Sequence, residues 1–164
     1  KYAQAAQLPA ARIHGQLEGL EAILSELPPD SMTSIDGGTT ANSFESSVEN
    51  AFQDILESNR VAILSFNDNA TMGALRAARK LGRDKNLVIV GQGADRLVRA
   101  EIRRKDSPVI GATAFWPERY GGKLIEIAIS ILRGDSVPPA VYIDHVFLDT
   151  DNIHDYYPED ELES

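Results

Sequence analysis

Apolar residues recur every three or four positions along five stretches of the chain, which is the spacing of one face of an α-helix. The first stretch ends at Pro28 and Pro29, which cannot continue a helix. The third ends at Gly82, the residue type expected in a left-handed C-terminal cap. The pattern predicts helices over residues 13–27, 48–56, 74–81, 97–102 and 117–133.

Short apolar runs lie between these helices. They span 32–35, 61–66, 87–90 and 109–114, and each has the length of a β-strand. Because strands and helices alternate, and because the runs are apolar throughout, we expect a parallel sheet whose strands are buried on both faces. The predicted fold class is α/β with a doubly wound parallel sheet, followed by a strand-like segment at 140–148.

Two segments do not fit a simple core. The predicted helix 117–133 is apolar nearly all round, so it should be covered by more than one neighbour, and the chain offers too few partners for it. The segment from residue 149 to 164 is acidic, and we expect it to lie outside the core.

Composition narrows the classes of function. The chain of 164 residues has a formal net charge of −9 and no cysteine, which disfavours nucleic-acid binding and excludes disulfides, thiolate metal sites and cysteine nucleophiles. Four basic residues within 76–83 recur on one side of a predicted helix, which indicates a solvated face. No apolar run approaches the roughly 20 residues of a membrane helix, and the first residues lack a signal-peptide core. We expect a soluble chain whose export signal was removed or never present.

Polar side chains cluster where the predicted strands end. Asn67, Asp68 and Asn69 directly follow the run 61–66, similar clusters stand at 36–42 and 92–95, and aromatic residues follow 109–114. One asparagine or aspartate suffices to cap the next helix, so the others need a further explanation. Because ligands of open α/β sheets bind at the carboxyl ends of the strands, these clusters predict a binding crevice.

Other motifs are weaker. "GQGADR" lies between a strand and a helix like a dinucleotide loop, but Arg96 stands where the third glycine belongs. "DGGTT" could cradle a phosphate, yet no Lys or Arg stands beside it. The three histidines lack metal-ligand spacing. We therefore expect no catalytic set, no metal and no cofactor.

Four stretches carry a resemblance to a known family. They are "ARIHGQLEGLEAIL" at 11–24, "AFQDILESNRVAILSFNDNATMGALRAARKLG" at 51–82, "LVIVGQGAD" at 87–95 and "VIGATAFWPERYGGKLIEIAISILRGDSVPP" at 109–139. The chain resembles the type I periplasmic sugar-binding proteins of the ribose-binding-like family, and their relatives, the ligand-sensing cores of lac-repressor-type regulators. The block "ND..A.GAL.A....G" followed by "V.IVG" carries most of this resemblance.

The resemblance implies that the chain is one lobe of a two-lobed protein. Residues 1–115 would form the C-terminal ligand-binding lobe, and 116–139 a helix and crossing that pack on an N-terminal lobe. Residues 140–164 would form the final strand and an acidic C-terminal tail. In a fragment, the apolar helix 117–133 would be covered by a homodimer contact or swapped into a second copy.

The resemblance also implies ligand-binding residues. Amide, guanidinium and carboxylate groups suit sugar hydroxyls, and an aromatic ring suits the C–H face of a sugar. Arg12 corresponds to the arginine of the family's "R..G" segment, and Asn67 to the asparagine of its "ND" pair. The implied set is Arg12, Asn42, Asn67, Gln92 and Phe115, with Ser43, Asp68, Asp95 and Trp116 as further candidates.

Some of these side chains have structural alternatives. Asp68 and Asn69 could instead be the helix cap and its support, and Phe44 is expected in the core. Gln92 and Gly93 stand where the family has an aromatic or small residue and then Asp, and Phe115 stands where a polar ligand is common. This departure favours a stacking platform over a ribose site, although the aromatic residues could equally be hinge packing.

The implied function is the substrate-binding component of a bacterial sugar transport system. A small carbohydrate would bind between two lobes that close about a hinge, and the membrane permease would be the partner. Such a protein is periplasmic or otherwise extracytoplasmic, and the ending "YIDHVFLDTDNIHDYYP" resembles that of transport receptors. The alternative is the ligand-sensing core of a lac-repressor-type regulator, which is cytoplasmic. A nucleotide-dependent α/β enzyme is the third possibility.

Overall fold

The computed structural model of the chain describes residues 7–24 and 27–161. The helices and strands of this part follow each other as α1 Gln7–Leu24, α2 Ala41–Gln53, β1 Val61–Leu64, α3 Asp68–Lys80, β2 Leu87–Gly93, α4 Arg96–Arg103, β3 Val109–Ala114, α5 Tyr120–Arg133, β4 Val146–Leu148 and α6 Ile153–Tyr156. No helix in these ranges is long and apolar enough to cross a bilayer.

The strands form one open sheet in the order β1-β2-β3-β4. β1, β2 and β3 are parallel, with Val61 opposite Leu87 at the start of the first pair, while β4 runs antiparallel to β3. The expected α/β class with a predominantly parallel sheet is confirmed. All three parallel strands therefore deliver their carboxyl ends to one edge.

Two predicted strands differ from those observed. Residues 32–35 pair with no strand in the described part of the chain, and the side chains of Met32 and Ile35 are exposed. Polar Thr33 and Ser34 separate these two residues, so the run buries too little apolar surface to hold an edge position. The segment 140–148 is a strand only over Val146–Leu148, because polar Asp144 and His145 interrupt its apolar pattern.

The core lies between one face of the sheet and the helices α2, α3 and α4. Leu75 of α3, Ile89 of β2 and Ile102 of α4 are completely or almost completely buried. The small residues of α3 allow a close approach to α2, since a Cβ at Gly73 would lie only 2.6 Å from the carbonyl oxygen of Ala41. Phe44 on α2 is buried at this contact, as expected.

The other face of the sheet is uncovered at the amino ends of the strands in the described part of the chain. Val88 on β2 is 40% exposed and Ile110 on β3 is 47% exposed, whereas Gln92 and Ala112, farther along the same strands, are buried. Gln92 contacts Arg12 of α1. The prediction that the strands are buried on both faces is therefore wrong at the amino ends of β2 and β3, where none of the described helices covers the apolar side chains.

Helix α5 also lacks a cover within the described chain. None of its side chains is buried, and Leu132 is 87% exposed. Its other large apolar side chains that are exposed are Leu124, Ile125, Ile129 and Ile131. The apolar pattern that made this helix unusual in the sequence thus corresponds to an unpartnered surface.

The expectation that residues from 149 onwards lie outside the core is wrong in part. Ile153 at the start of the short helix α6 and Tyr157 directly after its end are both buried. Asp160 does not oppose this packing, because it accepts hydrogen bonds from Arg99 Nε at 2.6 Å and from Arg103 Nη1 at 3.1 Å. Paired charge allows an acidic segment to pack against α4.

The basic residues of α3 and its C-terminus do not form a single solvated face. Arg83 is buried, and its guanidinium donates to the carbonyl oxygens of Ile55 and Leu56, both at 2.9 Å. Arg79 forms a bidentate pair with Glu101 on α4. These contacts hold α3 to its neighbours, which spacing along one helix could not reveal.

Candidate functional site

The three polar residues after β1 each form a hydrogen bond with a different backbone segment. Asn67 Oδ1 accepts the backbone N–H of Ala70 at 2.8 Å, so Asn67 is the N-cap of α3. Asn69 Nδ2 donates to the carbonyl oxygen of Thr39 at 3.1 Å. The expectation that Asp68 is the cap is wrong, because Asp68 turns instead toward the loop after β2.

Asp68 links α3 to that loop. Its Oδ1 accepts the backbone N–H of Ala94 at 2.8 Å, and its carboxylate also accepts the backbone N–H of Asp95. The pKa of Asp68 is raised to about 6, mainly by burial and secondly by the nearby charge of Asp95. The two backbone N–H groups and Arg12 act in the opposite direction. A carboxylate this basic is held where water solvates it poorly.

Helix α1 brings an arginine to the same edge. Arg12 Nη1 donates to the carbonyl oxygen of Phe66 at 3.0 Å, and its guanidinium carbon lies 4.7 Å from the centre of the Phe115 ring. Gln92 Nε2 donates to the carbonyl oxygen of Arg12 at 3.4 Å. The structure therefore brings together Arg12 from α1, Gln92 from β2 and Phe115 from the end of β3, as the sequence predicts for one edge.

An open cleft of about 250 Å³ lies beside these residues. Its lining combines carboxylates with aromatic rings: Asp68, Asp95, Glu118, Phe115, Tyr120 and Tyr157. Gly93, Ala94, Arg99 and Pro117 complete it. Such a lining offers hydrogen-bond acceptors for hydroxyl groups and flat apolar faces for C–H groups, which is the chemistry that a small polyol requires.

The sequence did not point to Tyr157, Glu118 or Arg99. The Tyr157 hydroxyl donates to Glu118 Oε1 at 3.0 Å, and the Arg99 guanidinium carbon lies 3.9 Å from the centre of the Tyr157 ring. Burial and the bond to Glu118 raise the pKa of Tyr157 to about 12, so its hydroxyl stays protonated. The available signal was the spacing of Ile153 and Tyr157, which places both on one helical face.

Of the nine predicted ligand residues, Asp68, Asp95 and Phe115 line the cleft. The other six do not, and Arg12, Asn67 and Gln92 among them make the contacts described above. Asn42 Oδ1 accepts from Arg76 Nη1 at 3.1 Å, and Ser43 forms a capping box with Thr40 at the start of α2. Trp116 is buried with its ring centre 5.6 Å from that of Tyr156 and has a left-handed backbone with φ of 47°. Asp95 lines the cleft and also caps α4 by accepting the N–H of Val98 at 2.9 Å.

No cluster of three or more histidine, aspartate or glutamate side chains in the described residues could hold a metal ion.

The solved structures that this chain resembles include solute-binding proteins of transporters. One, from Agrobacterium vitis with bound allitol, has a TM-score of 0.77 at 18% identity and aligns 92% of this chain with 52% of its own. A 5-methylthioribose transporter solute-binding protein from Thermotoga lettingae TMO has a TM-score of 0.73 at 14% identity, aligning 92% of this chain with 47% of its own. A periplasmic solute-binding protein from Actinobacillus succinogenes 130z with bound D-allose has a TM-score of 0.65 at 19% identity, aligning 71% with 40%.

These similarities confirm the resemblance to type I periplasmic sugar-binding proteins at the level of the fold. The chain spans about half the length of these structures, between 40% and 52%. No protein-family model and no curated protein sequence matches it.

Proposed function

We propose that the chain forms one lobe of a carbohydrate-binding protein, the substrate-binding component of a bacterial sugar transport system. The observation that carries the proposal is the meeting of Arg12, Gln92 and Phe115, from three distant parts of the chain, beside a cleft at the carboxyl ends of parallel strands. Open α/β sheets bind their ligands at this edge.

Each of the three side chains has a distinct task in this proposal. The Phe115 ring faces the apolar C–H side of the ligand, and Arg12 lies against that ring and has further N–H donors besides the one that holds Phe66. Gln92 keeps its side-chain oxygen as an acceptor, since its nitrogen donates to Arg12. A ligand lacking one matched hydroxyl leaves a buried polar group unpaired, and selectivity follows from this cost.

The lobe supplies half of a binding site. We propose that residues 1–115 form the ligand-binding lobe and that the exposed aliphatic face of α5 packs on a second lobe of the full-length gene product. In the isolated chain, a second copy would cover that face through a dimer contact or a swap of α5. The half-length match to the solved structures supports this division.

The proposed function in transport implies that the protein works outside the cytoplasm and that a membrane permease is its partner. Cell fractionation of the full-length gene product tests this point. We expect it in the extracytoplasmic fraction, whereas a cytoplasmic location favours the lac-repressor-type regulator.

Calorimetry of the full-length gene product tests ligand binding. The panel is D-allose, allitol, 5-methylthioribose, D-fucose and myo-inositol, the compounds bound in structures with this fold. We expect at least one to bind, and Phe115→Ala to weaken it about tenfold or more by removing the stacking surface. The matched control is Tyr142→Ala, an exposed aromatic outside the cleft lining, which should leave binding unchanged. Equal binding by both variants, or no binding across the panel, contradicts the proposal.

A further inference from the structure

The loop after β2 has room that the side chain of another element fills. Gly93 has a φ of 127°, and Ala94 follows in the left-handed region with a φ of 61°. A Cβ at Gly93 would overlap Oδ2 of Asp68 and lie 2.6 Å from its Cγ. The carboxylate of Asp68, which comes from the first turn of α3, therefore occupies the space beside the strand end where a larger residue at position 93 would place its own side chain.

The contacts of Asp68 leave part of its hydrogen-bonding capacity unused. Its carboxylate accepts two backbone N–H groups, those of Ala94 and Asp95, whereas an ionised carboxylate has about four acceptor positions. Asp68 also lines the cleft. Two backbone N–H groups therefore hold a carboxylate that lines the cleft and has acceptor positions left for a ligand.

The other carboxylates of the cleft are engaged elsewhere. Asp95 uses Oδ1 to cap α4, and Glu118 accepts the hydroxyl of Tyr157. Arg99 is paired with Asp160, so it does not neutralise Asp68. Asp68 differs from both in burial: it is half-buried, whereas Asp95 and Glu118 are exposed.

Resting on the proposed function, we infer that Asp68 is a ligand-binding residue whose carboxylate accepts hydrogen bonds from two neighbouring hydroxyls of the ligand. The position of this carboxylate makes the site selective for a small carbohydrate or polyol that presents a vicinal pair of hydroxyls toward α3. The carboxylate comes from the first turn of α3, and it fits beside the end of β2 because Gly93 has no side chain there.

If Asp68 binds the ligand as a carboxylate, the affinity should depend on pH, because protonation of Asp68 weakens this contact. Asp95 from the loop and start of α4 raises the pKa of Asp68, and Arg12 from α1 lowers it. Arg99, Glu118, Tyr120 and Tyr157 are the other charged or titratable groups of the cleft. With a pKa of about 6, Asp68 is ionised at pH 7.5 and largely protonated at pH 5, and protonation removes one acceptor position. Affinity should therefore fall as the pH falls.

The test is calorimetry of the full-length gene product with the panel ligand that binds most tightly. Between pH 7.5 and pH 5 the wild-type affinity should fall about tenfold, the factor expected when only the ionised form of a group with this pKa binds. Asp68→Asn should bind roughly 10- to 100-fold more weakly at pH 7.5 and show no such pH dependence. The matched control is Asp54→Asn, which removes the same charge from an exposed position at the end of α2 and should behave as wild type.

Monodeoxy analogues of the same ligand separate direct contact from a purely structural role. With the wild type, removal of either hydroxyl of the matched pair should weaken binding and abolish most of the pH dependence, a result that needs no variant. With Asp68→Asn, the same removal should cost little more. Additive losses for every analogue, or a wild-type affinity that does not change between pH 7.5 and pH 5, overturn the inference and leave the proposed function standing. Absence of binding by the wild type across the panel overturns both.

Discussion

Helices α3 and α5 have nearly the same length, 13 and 14 residues, but opposite surroundings. α3 contains one leucine and several alanines, and seven of its residues are buried. α5 contains four isoleucines and two leucines, and none of its residues is buried in the described chain. Apolar content alone therefore does not place a helix in the core of this lobe.

The difference lies in the partners. The small side chains of α3 allow α2 to approach closely and let Asn67, Asp68 and Asn69 tie the start of the helix to adjacent loops. The large aliphatic side chains of α5 meet no comparable surface within residues 7–24 and 27–161. The uncovered sheet face around Val88 and Ile110 presents the same situation. The described residues therefore leave two apolar surfaces uncovered, the aliphatic face of α5 and the part of the sheet around Val88 and Ile110.

The comparison predicts a large contrast between two leucines. Leu75→Ala in α3 should lower the free energy of unfolding by about 2–5 kcal/mol, because Leu75 is 0% exposed and its removal leaves a cavity. Leu132→Ala in α5 should change it by less than about 0.5 kcal/mol while the isolated chain is monomeric, because Leu132 is 87% exposed there. Urea unfolding measures both. A similar loss for the two variants would show that α5 is packed in solution.

Two glycines, one in α3 and one in α5, should show the same contrast between the helices with a smaller effect. Gly73→Ala places a Cβ 2.6 Å from the Ala41 carbonyl oxygen and from Phe44 Cβ, so α2 and α3 must separate, at a cost of about 1–3 kcal/mol. Gly121→Ala in α5 meets nothing within 4 Å and should stabilise by about 0.4–1 kcal/mol through helix propensity. Thermal unfolding followed by circular dichroism gives both signs. Stabilisation by Gly73→Ala would contradict the close α2–α3 contact.

For two aspartates we expect still smaller effects of pH on the free energy of unfolding, with opposite signs. The hydrogen bond from Arg99 lowers the pKa of Asp160, so the stability that Asp160 contributes at neutral pH is lost as the pH falls through its lowered value. Burial raises the pKa of Asp68, so the native state binds more protons than the unfolded chain between about pH 4 and pH 6, and this contribution improves as the pH falls through that window.

Unfolding of the two Asn variants at several pH values measures these contributions. Asp160→Asn should destabilise by about 1–2 kcal/mol at pH 7, with a smaller difference from wild type at pH 3. Asp68→Asn should lose stability relative to wild type as the pH falls from 7 to 4, by on the order of 1 kcal/mol because the carboxylate is partly solvated. Parallel profiles for the two variants would contradict the opposite pKa shifts.

Much of this fold could be predicted from the sequence because its helices and central strands bury regular apolar patterns. The run 109–114 coincides with β3, and the strand ends meet at one edge as expected. The strand at 32–35 failed because two polar residues interrupt it, and the tail was misjudged because the partners of Asp160 lie about 60 residues away, on α4. Long-range pairing of charges leaves no local signal.

The site was predictable in outline for the same reason. The resemblance and the positions of the strand ends together predicted that Arg12, Gln92 and Phe115 are neighbours. The place of Tyr157 in the cleft lining could not be predicted, because it depends on how the C-terminal segment folds back. The contacts of Asp68 could not be predicted from its position in the first turn of α3, because its partners belong to the loop after the next strand.

A crystal structure of the full-length gene product grown with its tightest panel ligand decides whether this strand edge is the binding site. We expect the ligand beside the strand edge, with a C–H face on Phe115 and hydroxyl groups within hydrogen-bond distance of Arg12 and Asp68. A ligand bound elsewhere, with these three side chains in contact only with protein, would contradict this expectation.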